Sequence, residues 1–261
     1  MPTSNNGTSY DLNGPQDATV IVFIHGLGLN RQIWEKYLPA FSRQYRVLSY
    51  DLYGHGESVS PPGKPDLSVY AVQLRKLLDE LEIDSSTLIG FSLGGMINRR
   101  FALDFGSRVS ALVILNSPHE RTAEAQKRVE ERASDTAAGG AAATLDATIE
   151  RWFTKEFRES NDDYIQQVRS WVLSNDPTDY ALCRQVLATG VIELINPEPP
   201  VTQPTLVITC ENDSGSTPEM CHGIASEIEG AKTIIVPALQ HMGLVEKPDL
   251  FIDPILQFLR S

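Results

Sequence analysis

Three cysteines in 261 residues, Cys183, Cys210 and Cys221, are too few for a disulfide framework, and one is left over. They form no C-x-x-C pair, so a thiolate metal site is not indicated either, and they read as reduced core or near-surface residues. Long apolar runs are missing too. No stretch approaches the ~18 consecutive apolar residues of a membrane-spanning helix, and "MPTSNNGTSYDLNGP" has neither the basic nor the apolar segment of a signal peptide. The expectation is a cytoplasmic globular protein. Positive charge is scarce as well: 22 Lys and Arg against 34 Asp and Glu give a formal net charge of -12, a field that repels nucleic acid and anionic membrane. The expected partner is a small molecule, with no nucleic acid and no membrane; composition is silent on oligomeric state. What is present in quantity is apolar side chain, 41% of the residues, enough for one sizeable core with room for an inserted subdomain.

Short apolar runs rich in β-branched residues recur at 19–24, 45–50, 86–91, 110–115, 205–209 and 232–237. Runs of that length suit strands buried on both faces. Between them lie helical stripes. Tyr70, Leu74, Leu77, Leu78 and Leu81 share one face, as do Phe251, Ile255, Phe258 and Leu259. Strand alternating with helix predicts an α/β chain with a mainly parallel sheet covered by helices on both faces. The alternation lapses over 119–200, where the charged "HERTAEAQKRVEERA", the small-residue "AAGGAAA" and two amphipathic stretches lead to "NPEPPVTQP". The expected organisation is a core of 1–118 and 201–261 with a helical cap, 119–200, inserted in it. Ligands of open α/β sheets bind beyond the carboxyl ends of the strands, so this insert is expected to form a lid over the site.

"IGFSLGGM", residues 89–96, sets Ser92 between Gly90 and Gly94 where a strand gives way to a helix. That is the context of a nucleophile on a sharp turn, because side chains two residues to either side would meet neighbouring backbone. The same letters serve equally as a plain glycine-rich turn. A serine hydroxyl is a weak nucleophile, so the first reading needs a base and a carboxylate elsewhere. Of the five histidines, His241 alone lies after the last strand and before the last helix, the place for the base. Asp213, just beyond a strand in "ITCENDSGSTPE", is the expected acid, with Glu211 its nearest competitor. Asn116 ends another strand without a charge, which favours Asp213. Oxyanion donors are expected from the backbone N–H of Leu93, after the nucleophile, and of Leu27 in "FIHGLGLN". His25 and His55 read as residues that shape their own loops.

In this order the motifs resemble those of the α/β-hydrolase family, from "VIVFIHGLGLNRQIW" through "YDLYGHGES" and "GFSLGG" to "ENDSGSTP" and "HMGLVEKPDLF". Within the family the chain is most similar to small carboxylesterases and 3-oxoadipate enol-lactonases, and "IERWFTKEFRE" resembles the latter. Tyr53 departs from the D-x-R-G-H-G those lactonases commonly carry, which ranks carboxylesterase first and enol-lactonase second. The resemblance implies a serine hydrolase without cofactor or metal, acting on small esters or lactones through an acyl-serine. Carbon-carbon bond hydrolases of ring-cleavage products, cofactor-free haloperoxidases or perhydrolases, and triad-retaining receptors share the constellation. His119, Arg151, Trp152 and Phe153 are the candidates for substrate binding. Arg151, with Lys155 and Arg158, either offers a cation to a substrate carboxylate or forms a solvated helix face; Trp152, Phe153, Phe157 and Trp171 either line an acyl pocket or pack.

Overall fold

In the computed structural model of the chain, which describes residues 2–260, seven strands form one sheet. They are β1 (Tyr10–Asn13), β2 (Val20–Ile24), β3 (Arg46–Tyr50), β4 (Ser86–Phe91), β5 (Val109–Leu115), β6 (Thr205–Cys210) and β7 (Lys232–Val236). The order across the sheet is β1-β3-β2-β4-β5-β6-β7, and every pairing is parallel save that of β1 with β3. β2, β4 and β6 are buried at every residue. Helices cover both of their faces, so their sequences read as apolar runs and not as alternation. β1 has no such run: its four residues, YDLN, lie half-exposed on an antiparallel edge, and the sequence pattern does not reveal them.

Helices α1 (Leu38–Phe41), α2 (Leu67–Glu80) and α3 (Leu93–Asp104) separate the early strands. The stripe expected on α2 is the face it buries, through Tyr70, Leu74, Leu77 and Leu78, and Asp66 caps its start by accepting from the Val69 N–H at 2.8 Å. Between β5 and β6 come five helices in succession, α4 (Ala123–Gly139), α5 (Ala142–Trp152), α6 (Lys155–Ser160), α7 (Asp162–Ser174) and α8 (Pro177–Thr189). α9 (Pro218–Ser226), α10 (Gly243–Glu246) and α11 (Asp249–Leu259) complete the chain, the last burying Phe251 and Ile255 as its periodicity requires. No helix among the described residues is long and apolar enough to cross a membrane.

The five-helix segment is fastened to the sheet layer at several points. Glu227, one residue past α9, has its Oε1 2.9 Å from His119 Nε2 and also accepts from the Asn196 N–H at 3.0 Å. The outgoing and the returning chain therefore meet on one carboxylate. Where α5 ends, the Trp152 carbonyl accepts from the Met242 N–H at 2.8 Å, and Thr154 donates to Glu246 through its N–H at 2.9 Å and its Oγ1 at 2.6 Å. Trp171 of α7 donates from Nε1 to Gln32 at 3.1 Å. These links hold the segment beside the loop that carries His241.

Candidate active site

β4 ends at Phe91 and α3 begins at Leu93, so Ser92 alone turns the chain. It does so at φ 55° and ψ -113°, a conformation that side chains rarely adopt and that the surroundings must enforce. The Ser92 N–H donates to the Leu115 carbonyl at 2.8 Å, and its own carbonyl accepts from the Gly95 N–H at 3.0 Å. Both flanking glycines are demanded by space. A Cβ on Gly90 would overlap the Gly94 and Gly95 backbone, and one on Gly94 would overlap the carbonyls of Ile24 and His25. This close approach brings the loop after β2, with Leu27, alongside the turn. Among the described residues no protein acceptor takes the N–H of Leu27 or of Leu93. Leu93 also opens α3, where aligned peptide dipoles favour negative charge.

His241 and Asp213 come together from the ends of neighbouring strands, with His241 Nδ1 2.6 Å from Asp213 Oδ2. Asp213 is fully engaged. Its Oδ2 also accepts from Asn116 Nδ2 at 2.9 Å, and its Oδ1 accepts from the N–H groups of Gly215 and Ser216 at 2.9 and 3.0 Å. Burial by itself raises the Asp213 carboxyl, yet the fields and hydrogen bonds of His241, Asn116 and Gly215 outweigh it and hold the group below the ordinary aspartate value. Glu211, by contrast, is exposed and accepts from the Ala238 N–H at 2.9 Å, away from the imidazole.

The loop histidines have neutral, structural surroundings. His25 lies with Nδ1 2.8 Å from the Gly26 carbonyl and accepts at Nε2 from the Leu52 N–H at 3.0 Å, so only the neutral ring satisfies both bonds. Burial takes its pKa down to about 4. His55 lies against it, 5.3 Å between ring centroids, and is pushed down to about 3 by burial and by His25.

Leu27, Ser92, Trp152 and His241 line one cavity of about 60 Å³. At ~10–15 Å³ of such space per water, that is room for about four to six waters, which suits a short ligand. The Trp152 ring stands 6.0 Å from that of His241, and Phe91 packs on the imidazole at 4.9 Å. Four cations, Arg121, Arg132, Arg151 and Arg184, also reach the wall, among Pro118, Val129, Leu187, Gly215 and Ser216. Burial lowers Arg121 and Arg151 to about 10, and for Arg151 the neighbouring Arg132 and Arg184 add to the effect. Both remain charged at neutral pH, Arg121 and Arg151 alike.

Of the four arginines only Arg151 is legible in the sequence, as a choice between pocket cation and solvated face. Arg121 precedes α4, Arg132 lies within it and Arg184 is on α8, and no spacing rule links positions brought together by separate helices. Lys155 and Arg158 do not join them; Lys155 is exposed beside Glu159 at 3.7 Å. Two expected pocket residues also lie elsewhere. His119 is held at Glu227 and lines a different surface hollow, with Asn196 and Met220, while Pro118 just before it lines the Ser92 cavity. Phe153 is wholly buried, stacked on Phe157 at 5.4 Å and edge-on to Tyr164, so it packs the helices and leaves the wall to Trp152.

A family model described as alpha/beta hydrolase fold matches residues 19–248. Among curated relatives, 3-oxoadipate enol-lactonase 1 of Acinetobacter baylyi is 27% identical over all of this chain and 97% of its own length. Among solved structures, a hydrolase from Pseudomonas aeruginosa superposes with a TM-score of 0.89 at 26% identity, covering 97% of this chain and 94% of that one. The enol-lactonase from Burkholderia xenovorans gives the same TM-score at 25% identity, covering 97% and 96%.

Proposed function

Because the chain belongs to the alpha/beta hydrolase family, we propose that it cleaves small carboxylic esters or lactones through an acyl-enzyme on Ser92, with residues 119–200 as the cap over the site. The observation that carries this reading is the 2.6 Å contact of His241 Nδ1 with the buried Asp213 carboxylate, in a ring that lines the same cavity as Ser92. In the proposed reaction Nε2 of His241 accepts the Ser92 hydroxyl proton while Oγ bonds to the substrate carbonyl carbon. The N–H groups of Leu27 and Leu93, free of protein acceptors, donate to the oxyanion that forms. As the tetrahedral intermediate collapses, the bond to the alcohol oxygen breaks and His241 gives that oxygen its proton. Water then loses a proton to His241, adds to the acyl carbon, and releases the acid as Ser92 recovers its hydrogen. Asp213 holds the ring in the tautomer with its proton on Nδ1 and stabilises the imidazolium at each stage.

A second reading, an enol-lactonase, is favoured by Arg151 on the cavity wall, since a lactone of that kind carries a carboxylate to be neutralised. Two relatives named as enol-lactonases support the same direction. The test of the hydrolase reading is Ser92→Ala assayed with 4-nitrophenyl acetate. Turnover should fall at least about 10³-fold with an unchanged circular dichroism spectrum. Turnover retained at the original rate removes Ser92 from the reaction.

A further inference from the structure

Four guanidinium groups around one small cavity are out of keeping with a chain of net charge -12. Among the described residues no carboxylate lies within ion-pair distance of Arg121, Arg132, Arg151 or Arg184. Arg121 spends its donors on neutral oxygens, those of Gln126, Leu187 and Ala188. Among the described residues Arg151 has no hydrogen-bond partner; its Nη1 lies beside Gly215, on the turn that holds Asp213. Arg184 is buried, Arg121 and Arg151 are half-buried and Arg132 is exposed beside them; like charges gathered in one place without ion-pair partners oppose folding, and a site that keeps them is built for an anion.

Charge and shape narrow the anion further. Against the four cations stand Glu130, whose field acts on Arg121, and Asp213, whose field acts on Arg151. Asp213 is engaged by His241 and Asn116, and Asp135 and Glu150 line the outer groove and not the Ser92 cavity, so positive charge is concentrated at the cavity. Arg132 and Arg151 line both the Ser92 cavity and a more open groove with Asp135, Thr148 and Gln240, so they form the neck between the two. A short ligand with its ester at Ser92 has its remaining acidic groups at that neck and under Arg121 and Arg184. Arg presents a planar fork that matches carboxylates bidentately, which a lysine does not.

Resting on the hydrolase reading above, we propose that the substrate is a short ester or lactone that carries a free carboxylate besides the bond that is cut, and that Arg132 and Arg151 select it at the neck. The experiment measures binding apart from turnover. Ser92→Ala protein is titrated calorimetrically with succinate, acetate and succinamide at two salt concentrations, and Arg132→Met and Arg151→Met are added in the same background. Succinate should bind at least tenfold more tightly than acetate and weaken with salt, succinamide should give no heat of binding, and each arginine substitution should cost at least tenfold for succinate. Equal affinity for succinate and acetate, or binding that ignores both substitutions, overturns the proposal. The succinate and succinamide comparison needs no arginine variant, so a misfolded Arg variant does not cloud it. Ester turnover that survives in Ser92→Ala would overturn the nucleophile and leave the dicarboxylate result standing; loss of succinate selectivity would do the reverse.

Discussion

Asn116 Nδ2 donates to Asp213 Oδ2 at 2.9 Å, the same oxygen that His241 Nδ1 reaches at 2.6 Å. Asn116 sits at the end of β5 with φ 44°, a left-handed turn of the backbone just past the strand. One carboxylate oxygen thus takes its donors from two different strand ends.

Asn116 accordingly acts as a positioning residue, through Asp213. A hydrogen bond to an ionised group is worth ~1.5–3 kcal/mol, so Asn116→Ala should lower kcat for 4-nitrophenyl acetate about tenfold with little change in KM. Losing a donor to the ionised form raises a carboxyl pKa, and the acid limb of the rate profile should move up with it. A kcat loss without any movement of that limb would mark a purely structural role.

The two acids of "CEND" have different partners, Asp213 meeting His241 and Glu211 the Ala238 N–H, and the proposed reaction uses Asp213. Asp213→Asn should reduce kcat by about 10³–10⁴-fold, because the imidazole then loses both its orientation and its stabilising charge. Glu211→Gln removes only an exposed contact with the Ala238 N–H, and its activity should stay within about twofold of the parent protein, as surface substitutions generally do. Steady-state rates for the two variants settle the matter, and the reverse ranking would make Glu211 the acid.

Acid sensitivity should come from the histidine pair behind the loop that carries Leu27. Their folded pKa values, about 4 for His25 and about 3 for His55, lie below the ordinary 6.5, so the unfolded chain binds more protons across that interval. Stability from this source is complete above pH 6.5 and declines as pH falls toward 4 and then 3. At about 1.4 kcal/mol per unit, the full fall is worth roughly 3 kcal/mol for His25 and roughly 5 kcal/mol for His55. Thermal midpoints measured between pH 8 and 4.5 should drop steadily below 6.5, and His55→Gln should flatten that drop. An equal slope in the variant would place the acid sensitivity elsewhere.

The parallel strands, the turn at Ser92 and the meeting of Asp213 with His241 are legible from the letters because each follows from strand ends and backbone contacts. A strand covered on both faces has to be apolar throughout, and Gly90 and Gly94 are fixed by backbone contacts that any side chain would violate. β1 escapes that logic, since an edge strand of four half-exposed residues needs only backbone hydrogen bonds to β3. The cavity wall escapes it as well. Periodicity tells which face of α5 or α8 is apolar, but Arg151 and Arg184 meet at the site through the mutual arrangement of helices, which no single helix encodes. His119 shows the same limit: its place after a strand suggests the pocket, whereas its ring belongs to Glu227.

The shared anchor on Glu227 has a consequence for how such a chain diversifies. Leu112 to Leu115 pair with Thr205 to Ile208 whatever lies between them, and His119 and Asn196 are drawn to one point on the sheet side of the molecule. Everything from one to the other is, topologically, a single closed loop with a fixed mouth. Doubling the length of such a loop adds only about 0.6 kcal/mol to the entropy of closing it. Helices can be lengthened, lost or exchanged inside that mouth without altering strand register, so the arginine-bearing wall can be rewritten while the strands and the turn at Ser92 stay as they are.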